Sequence, residues 1–106
     1  MTAKQYRRAV AQLYAQFTSN RLSRYDQRLV GELFIRNVSI DTVRSALILG
    51  VARRLARDPK APPLSPVRSF YYFRPLIDEI LAQPLPPRYI DYIELRLHLL
   101  TSNKTS

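Results

Sequence analysis

The sequence predicts an all-α fold, a compact bundle of four to five helices with a Pro-rich connector. Apolar residues recur at intervals of three and four along successive segments, the spacing that gathers them on one face of a helix. Ser, Asp and Asn stand where those segments would begin or end. One segment near the C-terminus alternates as a strand would, but no second good strand is available to pair with it. At 106 residues, 46% of them hydrophobic, the chain fits one domain with one core.

From Thr2 to about Ser19, Tyr6, Val10, Leu13, Tyr14 and Phe17 form a helical stripe, and Lys4, Arg7 and Arg8 lie largely off it on a basic polar face. Ser23 with Asp26 three residues on has the pattern of a capping box, Asp standing where Glu or Gln is usual. It opens a second helix running to about Asn37, with Leu29, Val30, Leu33 and Phe34 inward. Asn37 suits a left-handed turn position and Ser39 an N-cap. The third helix continues to roughly Arg57, Asp41 in its first turn and Arg53, Arg54 and Arg57 in its last complementing the helix dipole. Its inward face is expected to be Ile40, Val43, Leu47, Gly50 or Val51, and Leu55. Gly50 costs about 1 kcal/mol in a helix interior relative to Ala, so a packing reason is expected there.

Pro59, Pro62, Pro63 and Pro66 make residues 58–67 an extended, fairly stiff connector, dividing a three-helix unit at 1–57 from an aromatic helical unit at 68–100 within a single domain. Ser65 and Pro66 read as N-cap and N1 of a helical stretch through Phe70-Tyr71-Tyr72-Phe73, and Pro75 calls for a kink or break just before it. Leu76, Ile77, Ile80 and Leu81 continue the apolar pattern to about Gln83. After Pro84, Pro86 and Pro87, the segment 88–100 fits two periods. Ile90, Ile93, Leu97 and Leu100 suit a helix, whereas Ile93, Leu95, Leu97 and Leu99 alternate as a strand; the Pro-Pro start favours helix. The polar tail from Thr101 to Ser106 is expected to fray.

Charge is the strongest functional signal. Seventeen Lys and Arg against eight Asp and Glu give a formal charge of +9, a field that favours polyanions. Arg21, Arg24, Arg28 and Arg36 recur, with Glu32, at spacings of three and four on one helix face, which reads either as a solvated face eased by Glu32 or as a binding stripe. Arg44, Arg53, Arg54 and Arg57 form a second candidate patch. Arg68 and Arg74 flank the four aromatics, where Tyr71 or Tyr72 could stack an unpaired base or line a protein interface while the cations hold phosphate; at least two of the four rings must pack in the core.

The segment from Gln27 to Leu47, QRLVGELFIRNVSIDTVRSAL, resembles a helix-turn-helix, which would place Asp41, Thr42, Arg44 and Ser45 on base edges or phosphate. An ordinary helical hairpin of the core is the competing reading, because Leu33 stands where the motif needs a small residue and the second helix runs on through Ala46 to Val51. The segment from Pro63 to Leu81, PLSPVRSFYYFRPLIDEIL, resembles uncharacterised helical proteins associated with bacterial mobile elements and replication genes. That resemblance implies a setting and no residue roles.

Catalysis finds no constellation. His98 is the only histidine and cysteine is absent, so neither a Cys/His pair nor a multi-histidine metal site can be assembled within one chain, and two glycines cannot build a phosphate loop. No cofactor is expected. The absence of cysteine and of an apolar leader points to the cytoplasm, and no apolar run is long enough for a membrane. The expectation is a non-enzymatic nucleic-acid-binding protein for DNA or RNA. The alternative is a structural small subunit or interaction module of a larger nucleoprotein complex, similar in size and basicity to the small helical subunits of CRISPR effectors. It would dock through Phe70–Phe73 and Leu95–Leu100 on a larger protein complex, or pair as a homodimer.

Overall fold

The computed structural model describes residues 1–103, and among them there are five α-helices, one short 3-10 turn and no strand. The arrangement follows from the third helix, α3 (Ile40–Leu55), which is apolar on more than one side. It is packed by α1 (Ala3–Thr18), α4 (Arg74–Ala82), α5 (Pro87–Asn103) and the 3-10 turn Phe70–Phe73. The remaining helix, α2 (Arg24–Ile35), lies on α1 and on the 3-10 turn. No helix among the described residues is long and apolar enough to cross a membrane.

Because α3 is central, its burial departs from the single inward stripe read from its sequence. Val43, Ala46, Leu47, Ile48, Leu49 and Gly50 are all buried, while Leu55 is 37% exposed beyond the last neighbour. Gly50 has the packing reason its position demands. A Cβ there would stand 2.7 Å from Phe73 Cε1 and 2.8 Å from Leu76 Cδ1, so the missing side chain is the space into which the 3-10 turn and α4 close.

Each helix end is set locally. Thr2 and Ser23 form reciprocal capping boxes with Gln5 and Asp26, and Ser39 caps α3 through Thr42 N–H. At the end of α2, Asn37 is left-handed (φ 58°), Val38 N–H donates to Leu33 C=O and Asn37 N–H to Phe34 C=O. This is a Schellman closure, with Val38 and Leu33 supplying its apolar contact in the core.

The cap of the aromatic stretch is Ser69 rather than Ser65 and Pro66, which stay extended. The polar side chain nearest the turn wins because its Oγ reaches Tyr71 N–H at 3.2 Å. Pro75 sits in the first turn of α4, where its missing N–H costs nothing, and the break before it is the change from 3-10 to α geometry. The segment after Pro87 is a helix, with Ile90, Ile93 and Leu97 buried against α3. It carries the chain through Asn103, so the expected fraying does not start at Thr101; residues 104–106 lie outside the described residues.

The connector between α3 and the 3-10 turn is pinned by polar contacts. Asn20 Nδ2 donates to Val67 C=O at 2.7 Å, and Arg54 Nη2 to Ser65 C=O at 2.7 Å. Deepest of all, Asp26 Oδ1 accepts from Ser69 Oγ at 2.7 Å and from Phe70 N–H at 3.1 Å, while Oδ2 accepts from Ser23 N–H at 3.0 Å. Asp26 is the one buried charged residue of the described core. Three donors and the N-terminus of α2 offset its desolvation.

Candidate nucleic-acid interface

The chain has no Asp or Glu before Asp26, and that carboxylate is buried. The six cations among residues 1–31, Lys4, Arg7, Arg8, Arg21, Arg24 and Arg28, are all solvent-exposed. On α1, Lys4, Arg8, Ala11 and Ala15 follow one another at spacings of four, three and four, a single helix face turned toward α2, with Arg7 at its edge. Because Ala11 and Ala15 are short, a groove of about 360 Å³ opens along this face, lined also by Arg21 and Leu22 of the α1–α2 loop and by Gln27 of α2. Arg24 and Arg28, one turn apart, stand on the outer ridge of α2 beside it.

Among the described residues none of the six has a carboxylate partner. They repel one another in an acid-free surface. Lys4, Arg7 and Arg8 were not among the sequence-derived candidates. The signal for them was there, in the acid-free first 25 residues read together with the helical face, but the spacing within α1 alone does not show that the α1–α2 loop brings Arg21 to the same groove.

The other predicted cations divide. Arg36 lies on another flank of α2, 3.8 Å from Asp78 of α4, and so leaves the patch formed by Arg21, Arg24 and Arg28. The physical reason is rotation: eight residues from Arg28 the helix has turned by about 80° past two full turns. Arg44 pairs with Glu94 of α5, Arg53 with Glu79 of α4 through two hydrogen bonds at 2.7 and 3.0 Å, and Arg74 with Glu32 of α2 at 3.0 Å. The hydrogen bonds from Arg53 hold the Glu79 carboxyl below its usual range and push the guanidinium up. Thr42 exchanges a hydrogen bond with Ser39 at the α3 cap, and from Ala46 to Gly50 the helix is buried by its neighbours. Arg57 and Arg68 have no carboxylate partner among the described residues; Arg57 lies on the connector side, whereas Arg68 follows Val67, whose C=O accepts from Asn20 at the end of the α1–α2 groove.

The aromatic run resolves by depth. Phe70 and Phe73 are fully buried, edge-on to Tyr14, so the whole stretch is not a docking surface. Tyr72 is 42% exposed, with the Arg54 guanidinium 5.3 Å from its ring centre and Nη1 3.4 Å from its hydroxyl. Tyr71 is half-buried and stacks on Tyr25 of α2 with centroids 4.6 Å apart. Tyr25, which the sequence did not single out, is 59% exposed. Backed by Tyr71 and next in sequence to Arg24, it presents the most accessible ring face near the cationic surface.

No family model matches the chain, and neither characterised proteins nor solved structures give a match.

Proposed function

We propose that this is a non-enzymatic nucleic-acid-binding protein that holds the phosphate backbone on the α1–α2 surface. The observation that supports it is the separation of charge: Arg36, Arg44, Arg53 and Arg74 are neutralised by carboxylates, while Lys4, Arg7, Arg8, Arg21, Arg24 and Arg28 are exposed together without one. Six like charges on two adjoining helices and the loop between them are disfavoured unless an extended polyanion supplies the counter-charge. Arginine forks fit phosphate oxygens, and the Tyr25 ring could stack an unpaired base at the edge of the same surface.

The test is fluorescence anisotropy with duplex DNA, single-stranded DNA and RNA across a range of salt. If all six cations engage phosphate, the log–log salt slope on duplex DNA should be about −5. Arg7→Ala with Arg8→Ala should flatten it by about 2, whereas Arg36→Ala with Arg53→Ala, which removes the same formal charge, should change it much less. Equal effects of the two double variants would refute the assignment to α1–α2, and no binding near physiological salt would refute nucleic-acid binding itself.

A further inference from the structure

We propose that α5 is a self-association helix, through which two copies of this chain pair in parallel. The proposal is independent of the nucleic-acid reading. Helix α5 is packed on one side only, by Ile90, Ile93 and Leu97 against α3. On its opposite side Tyr92, Leu95 and Leu99 are 54%, 57% and 54% exposed. Their spacing of three and four is that of successive a, d and a positions of a coiled-coil seam. At about 100° per residue, this ridge stands roughly opposite the buried face, with Leu95 at its edge also bordering a hollow lined by Phe17 of α1 and Val51 of α3.

The flanks of the ridge identify its occupant. Asp91 lies on one side of the seam, at the position preceding Tyr92, and Arg96 on the other, at the position following Leu95. In heptad terms they are g and e, five residues apart. A parallel pair sets each g residue against the e residue five positions on in the partner, so Asp91 of one copy would meet Arg96 of the other, twice by symmetry. An antiparallel pair would instead put like flank against like flank. The face is therefore complementary to itself in one orientation.

Arg96 already lies along the seam edge, its Nη1 3.1 Å from the Tyr92 hydroxyl. Asp91 has no ion pair among the described residues. Arg88, at the preceding d position, confines the apolar seam to Tyr92 onward. A seam this short makes a weak, concentration-dependent dimer, and it leaves the α1–α2 groove of both copies open, because α5 has no main contact with α2.

Sedimentation velocity on the full chain, with concentration raised to about 1 mM so that even a weak interface is populated, should show a monomer–dimer equilibrium. Leu95→Glu should abolish it with the circular dichroism spectrum unchanged. Asp91→Arg should weaken it roughly tenfold, and adding Arg96→Asp should restore it. The chain contains no cysteine, so single Leu95→Cys and Leu99→Cys variants report orientation cleanly. Disulfide-linked dimers from both support the parallel seam, whereas a cross-link from one alone would mean an antiparallel pair and overturn it. A monomer throughout the range, or a dimer indifferent to Leu95→Glu, would also overturn the proposal and leave the face to a different protein partner.

Discussion

Asp26 is where the fold can be tested most sharply, because one carboxylate joins three separate pieces of chain. Its two oxygens take Ser23 N–H of the α2 cap, Ser69 Oγ–H and Phe70 N–H. In Asp26→Ala these three donors fare differently. Ser23 is exposed and its amide can turn to water, so its loss is that of half a capping box, about 1 kcal/mol. The Ser69 hydroxyl is half-buried and loses a charge-assisted bond contributing about 1–2 kcal/mol. The Phe70 amide is buried with no alternative acceptor in the structure, and an unsatisfied buried donor costs about 1–3 kcal/mol. The expected destabilisation is about 3–6 kcal/mol, a large part of the stability of a domain of this size. Asp26→Asn keeps Oδ1 for Ser69 and Phe70 but turns an amide group toward the Ser23 N–H, so it should cost about 1–2 kcal/mol. Urea unfolding followed by circular dichroism measures both, with Asp58→Ala as control, since the Asp58 carboxylate caps only the exposed Lys60 N–H. A loss below about 1 kcal/mol for Asp26→Ala would refute the view that this carboxylate locks the 3-10 turn onto α2.

The two glycines should respond with opposite signs. Gly31→Ala meets nothing within 4 Å and should stabilise by about 0.5–1 kcal/mol through helix propensity, while Gly50→Ala collides with the Phe73 ring and should destabilise by about 1–3 kcal/mol, as read from urea midpoints. Tyr6→Phe removes the 2.8 Å hydrogen bond to the buried Val38 C=O and should cost about 1–2 kcal/mol. Burial raises the Tyr6 and Tyr14 phenols above their usual value of 10.0, so the folded state holds the neutral form better than the unfolded chain does. Their contribution is intact below pH 10 and is lost as pH rises beyond it. Tyr6→Phe should make the alkaline decline shallower in unfolding curves taken across that range, and an unchanged decline would exclude Tyr6 as its cause.

What was legible in the sequence follows the range of the forces involved. The three N-terminal helices could be read because their caps and apolar spacing act within four residues: Ser23 with Asp26, Asn37 in its left-handed turn, Ser39 before Thr42. The second role of Asp26 could not be read, because Ser69 and Phe70 lie more than forty residues away. The same limit governs the arginines. The spacing of Arg28 and Arg36 put them on one face, but which of them meets a carboxylate was decided by where α4 brings Asp78. Arg44 and Arg53 were likewise claimed by Glu94 and Glu79 from helices beyond the connector. For α5 the period was ambiguous because both of its sides carry leucines, and the exposed ridge is the source of that ambiguity.

The eight carboxylates explain why the positive charge is concentrated rather than spread. Glu32, Asp78, Glu79 and Glu94 join α2 to α4, and α3 to α4 and α5, through arginine pairs. Asp26 is buried, Asp41 lies in the first turn of α3, and Asp58 caps Lys60. Each of these seven is engaged in holding the fold or in offsetting a helix dipole, leaving Asp91 as the carboxylate that the isolated chain does not use. None is placed to offset Lys4, Arg7, Arg8, Arg21, Arg24 and Arg28. A uniformly solvated basic protein would intersperse its few acids among its cations to relieve repulsion. Here no exposed acid is interspersed among the cations of α1 and the start of α2, and the repulsion left standing there is what a polyanion would relieve while adding to the stability of the folded state.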